Sequence, residues 1–258
     1  MPGAHSERPP DRLGLETLFV LSVGLGQSMV WAILSLVNKL TVPVALNQQT
    51  TSMNNSVTPD RPWLDFLYQL ATNVFLVAPA LVAIYLLARV RPPDRSVWRA
   101  LGMDAGRIGR DVAWGFGVAA AIGVPGLGRY LGARWIGINT SVAPGNLANV
   151  WWAIAMYVLA AFANGALEEI TMVGYLLTRW AQCGWASWTA VLTSSLIRGG
   201  YHLYQGFGGF IGNFIMGLAF CWYWKRTHRL WPLIVAHTVL DVVSFVGYAL
   251  AKRWLPWL

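Results

Sequence analysis

Six ionisable residues lie inside long apolar stretches: Glu168 and Glu169 in one, Arg198 and His202 in the next, His237 and Asp241 in the last. At a bilayer centre each such group costs about 2.5–3.5 kcal/mol on insertion scales, so it faces a bundle interior or a watery cavity and marks function. His237 and Asp241 are four residues apart, as are Arg198 and His202, and on a helix each pair shares a face. Glu168 and Glu169 point about 100° apart, so both can border one pocket. Two neighbouring carboxylates in a low dielectric repel, the arrangement used for general acid/base work. Two imidazoles with a carboxylate can hold a divalent metal such as Zn²⁺, or position and activate a water. His5 and His228 fall in a polar tail and a loop and read as bystanders.

The elements that must position these groups are apolar runs of bilayer length. The chain of 258 residues is 56% hydrophobic and only 12% charged, with a mean hydropathy of +0.47. That is too apolar for a disordered chain or a soluble globule. Two cysteines, Cys183 and Cys221, at no metal or redox spacing, exclude a disulfide scaffold. Candidate spans are 17–37, 66–88, 112–131, 150–177, 185–204, 207–224 and 230–250, with no β-barrel alternation. The expected fold is therefore an all-α, polytopic transmembrane bundle of about seven spans, seven or eight. The third run is the weakest, rich in Gly and interrupted by Pro125 and Arg129.

The expected domains are a disordered tail over 1–16 and a transmembrane domain over 17–252. The net charge of +8 reads as topology rather than a nucleic-acid surface, because the basic residues sit in the breaks between apolar runs. Twelve Lys and Arg residues fall on the side of the N-terminus and six on the other, with Arg198 inside a run. The positive-inside rule puts the N-terminus in the cytoplasm. The long polar connection 38–65 reads as a surface loop, and Trp222, Trp224, Trp231 and Trp254 as interface anchors. No internal repeat is visible.

Three motifs now stand in order on three helices. They are Glu168-Glu169-Ile170-Thr171-Met172-Val173-Gly174-Tyr175, then Arg198-Gly199-Gly200-Tyr201-His202, and then Leu230-Trp231-Pro232 followed by His237-Thr238-Val239-Leu240-Asp241. In this the chain resembles the membrane-embedded CAAX-protease and bacteriocin-processing family, also called the Abi family, with its core at about 147–250. The resemblance implies an intramembrane endopeptidase, metallo- or glutamate-type, of a bacterial plasma membrane. It would act on a membrane-associated peptide or protein within the lipid bilayer, with no nucleic-acid partner. By the same resemblance Glu168 is the base that activates a water, and Glu169 completes the acidic motif. His202 and His237 stabilise the oxyanion or bind a metal, and Asp241 stands at the family's Asn or Asp.

Val173 departs from the family's Arg at that place. Arg198 cannot deprotonate and needs an anionic partner, so it is expected to pair with Glu169 and leave Glu168 free as base. Arg198 and Tyr201 are thus the candidate charge-balancing and substrate-side residues. Two other readings use the same residues. A proton- or ion-coupled transporter would employ them as a relay, and a non-catalytic immunity-type relative would have lost the chemistry. Bis-His haem ligation by His202 and His237 leaves the Glu pair without a role.

Overall fold

The computed structural model describes residues 10–89 and 96–254. The helices run α1 Pro10–Ser22, α2 Leu25–Thr41, α3 Pro62–Leu76, α4 Ala78–Arg89, the short α5 Val97–Ala100, α6 Ile108–Trp135, α7 Ala153–Glu168, α8 Leu176–Gln182, α9 Ser187–Tyr201, α10 Phe207–Thr227 and α11 Trp231–Trp254. Two three-residue strands, β1 Thr50–Ser52 and β2 Ser141–Ala143, pair in parallel. The tail expected over 1–16 differs from this at its end, since α1 already begins at Pro10; residues 1–9 lie outside the described residues.

Among the described residues, five helical segments are long and apolar enough to cross a membrane: Pro62–Arg89, Ala105–Trp135, Ala153–Gln182, Phe207–Thr227 and Trp231–Ala251. The pair α1 and α2, bent by 50° at its break, makes up to six. The bend falls where Gly26 packs so closely on Leu21 that a Cβ would sit 2.7 Å from its carbonyl oxygen. The all-α polytopic bundle is thus as the apolar runs indicate. The exception is the run at 185–204, which forms the 15-residue α9. At 1.5 Å per residue α9 is about 22 Å long, short of a hydrocarbon core of about 30 Å.

The connections gather at two ends. At one, β1 from the first connection pairs with β2 from the α6–α7 connection, and Asn139 bridges to Gly206 of the α9–α10 turn. At the other, Leu230 N–H donates to Leu101 O at 3.1 Å, and Arg229 is bonded to both Asp104 and Asp111. The hydrogen bond from Arg229 holds the Asp104 carboxyl below the usual carboxylate range. Each apolar run, α9 included, therefore carries the chain from one end to the other.

Because α9 is short, the turn after it (Leu203–Gln205) is recessed, and its backbone must find partners within the protein. Lys39 Nζ and Thr51 Oγ1 donate to Tyr204 O at 2.8 and 3.1 Å, and Thr140 N–H donates to Gln205 O at 2.9 Å. Asn139 accepts from Gly209 N–H at 2.8 Å and donates to Thr140 O at 3.1 Å. Asn139→Ala would leave a buried N–H without an acceptor, and should cost about 1–3 kcal/mol. Thermal unfolding in detergent checks this; an unchanged midpoint would show that the turn does not depend on it.

The core lies between the helices that bear the motifs, with Met172, Tyr175, Leu176, Phe220, Leu230, Leu233 and Ile234 all buried. The outer faces carry exposed Phe75, Trp114, Val124 and Trp151, the composition of a lipid-facing surface. Of the tryptophans expected as interface anchors, Trp222 is exposed. Trp224 is instead buried in the core, and Trp231 donates its indole N–H to Met103 O at 2.8 Å. The Trp254 side chain lies outside the described residues.

Candidate active site

The helix that begins as α7 changes character at its functional residues. Residues Glu169–Tyr175 form a π-helical turn before α8 resumes. A wider turn of this kind inside an α-helix is rare and concentrates at functional sites. Glu168 closes the α-helical part and Glu169 opens the π-turn. Glu169 is fully enclosed, whereas Glu168 is 8% exposed and lines a cavity of about 940 Å³.

Glu169 is tied on two sides. Arg198 Nη2 donates to both of its carboxylate oxygens, at 2.8 and 2.9 Å. His237 Nδ1 donates to Oε1 at 2.6 Å. The guanidinium also lies over the Phe220 ring, 5.5 Å from its centroid, and Phe220 meets His237 edge-on. Val173, where the family carries Arg, is buried in the apolar core. The cation thus comes from α9, across the helix interface.

Glu168 is held differently. Tyr201 donates its phenolic O–H to Oε2 at 2.7 Å. Arg198 Nη1 stands 3.8 Å from the same oxygen and makes no hydrogen bond among the described residues. His237 Nε2 is 4.0 Å from Glu168 Oε2 and 3.9 Å from Asp241 Oδ2. Asp241 accepts from Asn164 Nδ2 at 3.2 Å.

His202 caps the C-terminal end of α9, and its Nδ1 donates to Arg198 O at 3.0 Å. A carbonyl can only accept, so Nδ1 carries the proton, and Nε2 is left for a ligand. By the same logic the carboxylate of Glu169 keeps a proton on His237 Nδ1. Glu168, Tyr201, His202, His237 and Asp241 all line the one cavity, while Glu169 and Arg198 lie behind its wall.

A buried group of Glu168, Glu169 and His237 offers ligand atoms within 4.8 Å of one another, close enough to hold a metal ion. His202, expected as the second imidazole ligand, is not in this group. The end of α9 and its bond to Arg198 O set the place of the ring on the wall of the same cavity.

Asn164 escaped the sequence reading, although it lies one helical turn before Glu168 and so on the same face. Arg129 escaped it too, having been taken only as an interruption of a weak run; it also lines the cavity.

Residues 150–243 match the model of the Rce1-like family, described as type II CAAX prenyl endopeptidase Rce1-like. This agrees with the resemblance carried by the three motifs, and the matched stretch holds all of them. The family is one of membrane-embedded proteases that act on peptide or protein substrates. No curated protein and no solved structure matches the chain.

Proposed function

We propose that the chain is an intramembrane endopeptidase in which Glu168 activates a water against a peptide bond of a membrane-associated substrate. The observation that carries this reading is the unequal treatment of the two carboxylates. Glu169 is locked by Arg198 and His237 behind the wall, while Glu168 faces a cavity shared with His202, His237 and Asp241.

The reaction would run as follows. Glu168 Oε2 takes a proton from the water as its oxygen attacks the carbonyl carbon. His237, held through Nδ1 by Glu169 and surrounded by three carboxylates, donates from a protonated Nε2 to the oxyanion. The C–N bond then breaks, and Glu168 returns its proton to the leaving amine nitrogen. His202 Nε2 positions the water or the amine, and Asp241, oriented by Asn164, holds the imidazolium. Tyr201 fixes the rotamer of Glu168.

A metal suits this group poorly. Both Glu169 oxygens are already bonded to a guanidinium, and its Oε1 is 2.6 Å from His237 Nδ1. Two donors of one zinc ion, each at about 2.0–2.2 Å from it, would lie further apart than that. Arg198 takes the place a dication would need at Glu169, and on that ground the reading we adopt is glutamate-type. Elemental analysis of the purified chain should find less than stoichiometric zinc, and turnover should survive a chelator. One zinc per chain, lost together with activity, would overturn this.

The test of the function itself is a peptide library presented in proteoliposomes, with products identified by mass. Cleavage that is lost in Glu168→Gln supports the reading; no cleavage of any membrane peptide counts against it.

The orientation proposed has the N-terminus in the cytoplasm. A Ser52→Cys chain should then react with an impermeant thiol reagent from outside the cell, and Ser96→Cys only after permeabilisation. Both positions are exposed. Labelling of Ser96→Cys from outside would reverse the assignment.

A further inference from the structure

The cavity that holds Glu168 contains one residue with a permanent positive charge, Arg129 of α6. Three other arginines of the bundle sit beside carboxylates. Arg179 pairs with Glu16 at 2.7 Å, Arg198 with Glu169 at 2.8 Å, and Arg229 with Asp104 and Asp111. Arg129 has no carboxylate within salt-bridge distance among the described residues. A guanidinium cannot shed its charge by deprotonating, and at membrane depth an unpaired one is costly.

The protein nonetheless builds a seat for it. Arg129 Nη1 donates to Gly208 O of α10. One turn on, a Cβ at Gly212 would collide with the guanidinium, and at Gly208 a Cβ would come within 2.6 Å of Ala133 and 2.8 Å of Asn139 Oδ1. Gly212 thus opens the hollow in which the guanidinium rests, and Gly208 lets α6 and Asn139 come close to α10 beside it. With Nη1 engaged, Nη2 and Nε remain, two parallel donors whose spacing matches a carboxylate.

The seat is also aligned with the reacting residues. α6 and α11 run side by side in the same direction, since Cβ atoms at Gly115 and Gly123 would meet Val235 and Leu240. Leu240 precedes Asp241, so Arg129 stands beyond the Asp241 level, towards the end where β1 and β2 pair. There its neighbour Tyr130 accepts, at its hydroxyl oxygen, the N–H of Val142 in β2 at 2.9 Å.

We propose that Arg129 is a specificity residue that binds a carboxylate of the peptide substrate within the cavity. The proposal rests on the peptidase reading for the identity of the ligand. The carboxylate has two sources, a free C-terminus or an Asp or Glu side chain, and both present the same two oxygens to the fork.

Equilibrium binding separates this from the question of turnover. The full Glu168→Gln chain, in detergent, is titrated with fluorescent membrane-peptide probes that end in a free acid or an amide, each with and without an internal Asp. An ionic hydrogen-bonded contact predicts that a carboxylate-bearing probe binds about 10–100-fold more tightly than its neutral counterpart. In Arg129→Gln that ratio should fall to near one, and Arg129→Lys should keep part of it. If the ratio is lost only for acid-ended probes, the source is the C-terminus; if only for Asp probes, it is a side chain.

Equal affinity for charged and neutral probes would overturn the proposal. So would a charge preference that survives in Arg129→Gln, a uniform loss of all binding in both Arg129 variants, or no binding of any probe. Turnover of the same peptides by the unsubstituted chain reports separately on the peptidase reading. Carboxylate-selective binding without cleavage would sink the latter and leave Arg129 as an anion site.

Discussion

Glu168→Gln should leave the fold intact and lower peptide turnover by about 10²–10⁴-fold, the range general acid/base catalysis contributes. The side chain keeps its size, and an amide oxygen can still accept from Tyr201 O–H, which lies 2.7 Å from Oε2. What it loses is the ability to take a proton from water. The substitution also leaves the Arg198 contacts with Glu169 in place, so the thermal midpoint should move little. Turnover by the Gln chain at the unsubstituted rate would remove Glu168 from the mechanism, wherever it lies in the cavity.

Arg198→Leu should act on stability first. Arg198 and Glu169 are both buried, at 1% and 0% side-chain exposure. Removing one partner of such a pair strands the other charge and costs about 3–5 kcal/mol. Glu168, with Arg198 Nη1 at 3.8 Å, loses its nearest cation as well. The double change Arg198→Leu with Glu169→Leu removes both charges, and should recover much of the stability, since apolar replacement of a whole buried pair is often neutral or better. It should not recover activity, because His237 then has no acceptor for Nδ1. Unfolding midpoints of the single and double variants decide the matter. If the double is as unstable as the single, the guanidinium holds the fold by its packing on Phe220 rather than by charge.

The candidate site was legible in the sequence to the extent that buried charge is expensive. Glu168, Glu169, Arg198, His202, His237 and Asp241 declared themselves by standing in apolar runs, and the need of Arg198 for a counter-ion pointed to Glu169. Other features leave no such mark. A π-turn at Glu169–Tyr175 has the same apolar composition as an α-turn, and the difference lies only in which carbonyl each N–H reaches. The run at 185–204 has the hydropathy of a span, but its helix stops at Tyr201, because Gly206 and the Asn139–Thr140 segment turn the chain back early. Asn164 carries no charge, and Arg129 stands alone in a weak, Gly-rich run with no second charged residue at helical spacing; the surroundings of each show only through a neighbour on another helix. The strands β1 and β2 were invisible for the same reason, since three residues of Thr-Thr-Ser form a strand only where a partner meets them.

That last pairing bears on how the molecule is made. Thr50 pairs with Ser141 and Ser52 with Ala143, so the partner strand is synthesised some ninety residues after the first. At about 5–20 residues per second, the first loop must wait roughly 5–20 s until α3, α4 and α6 have been made and β2 has followed. The turn that carries His202 and Tyr204 comes later still, and it docks onto Thr51 and Thr140. The candidate site therefore cannot assemble until the final third of the nascent chain has been delivered, and the order of ribosomal output sets the order in which its walls close.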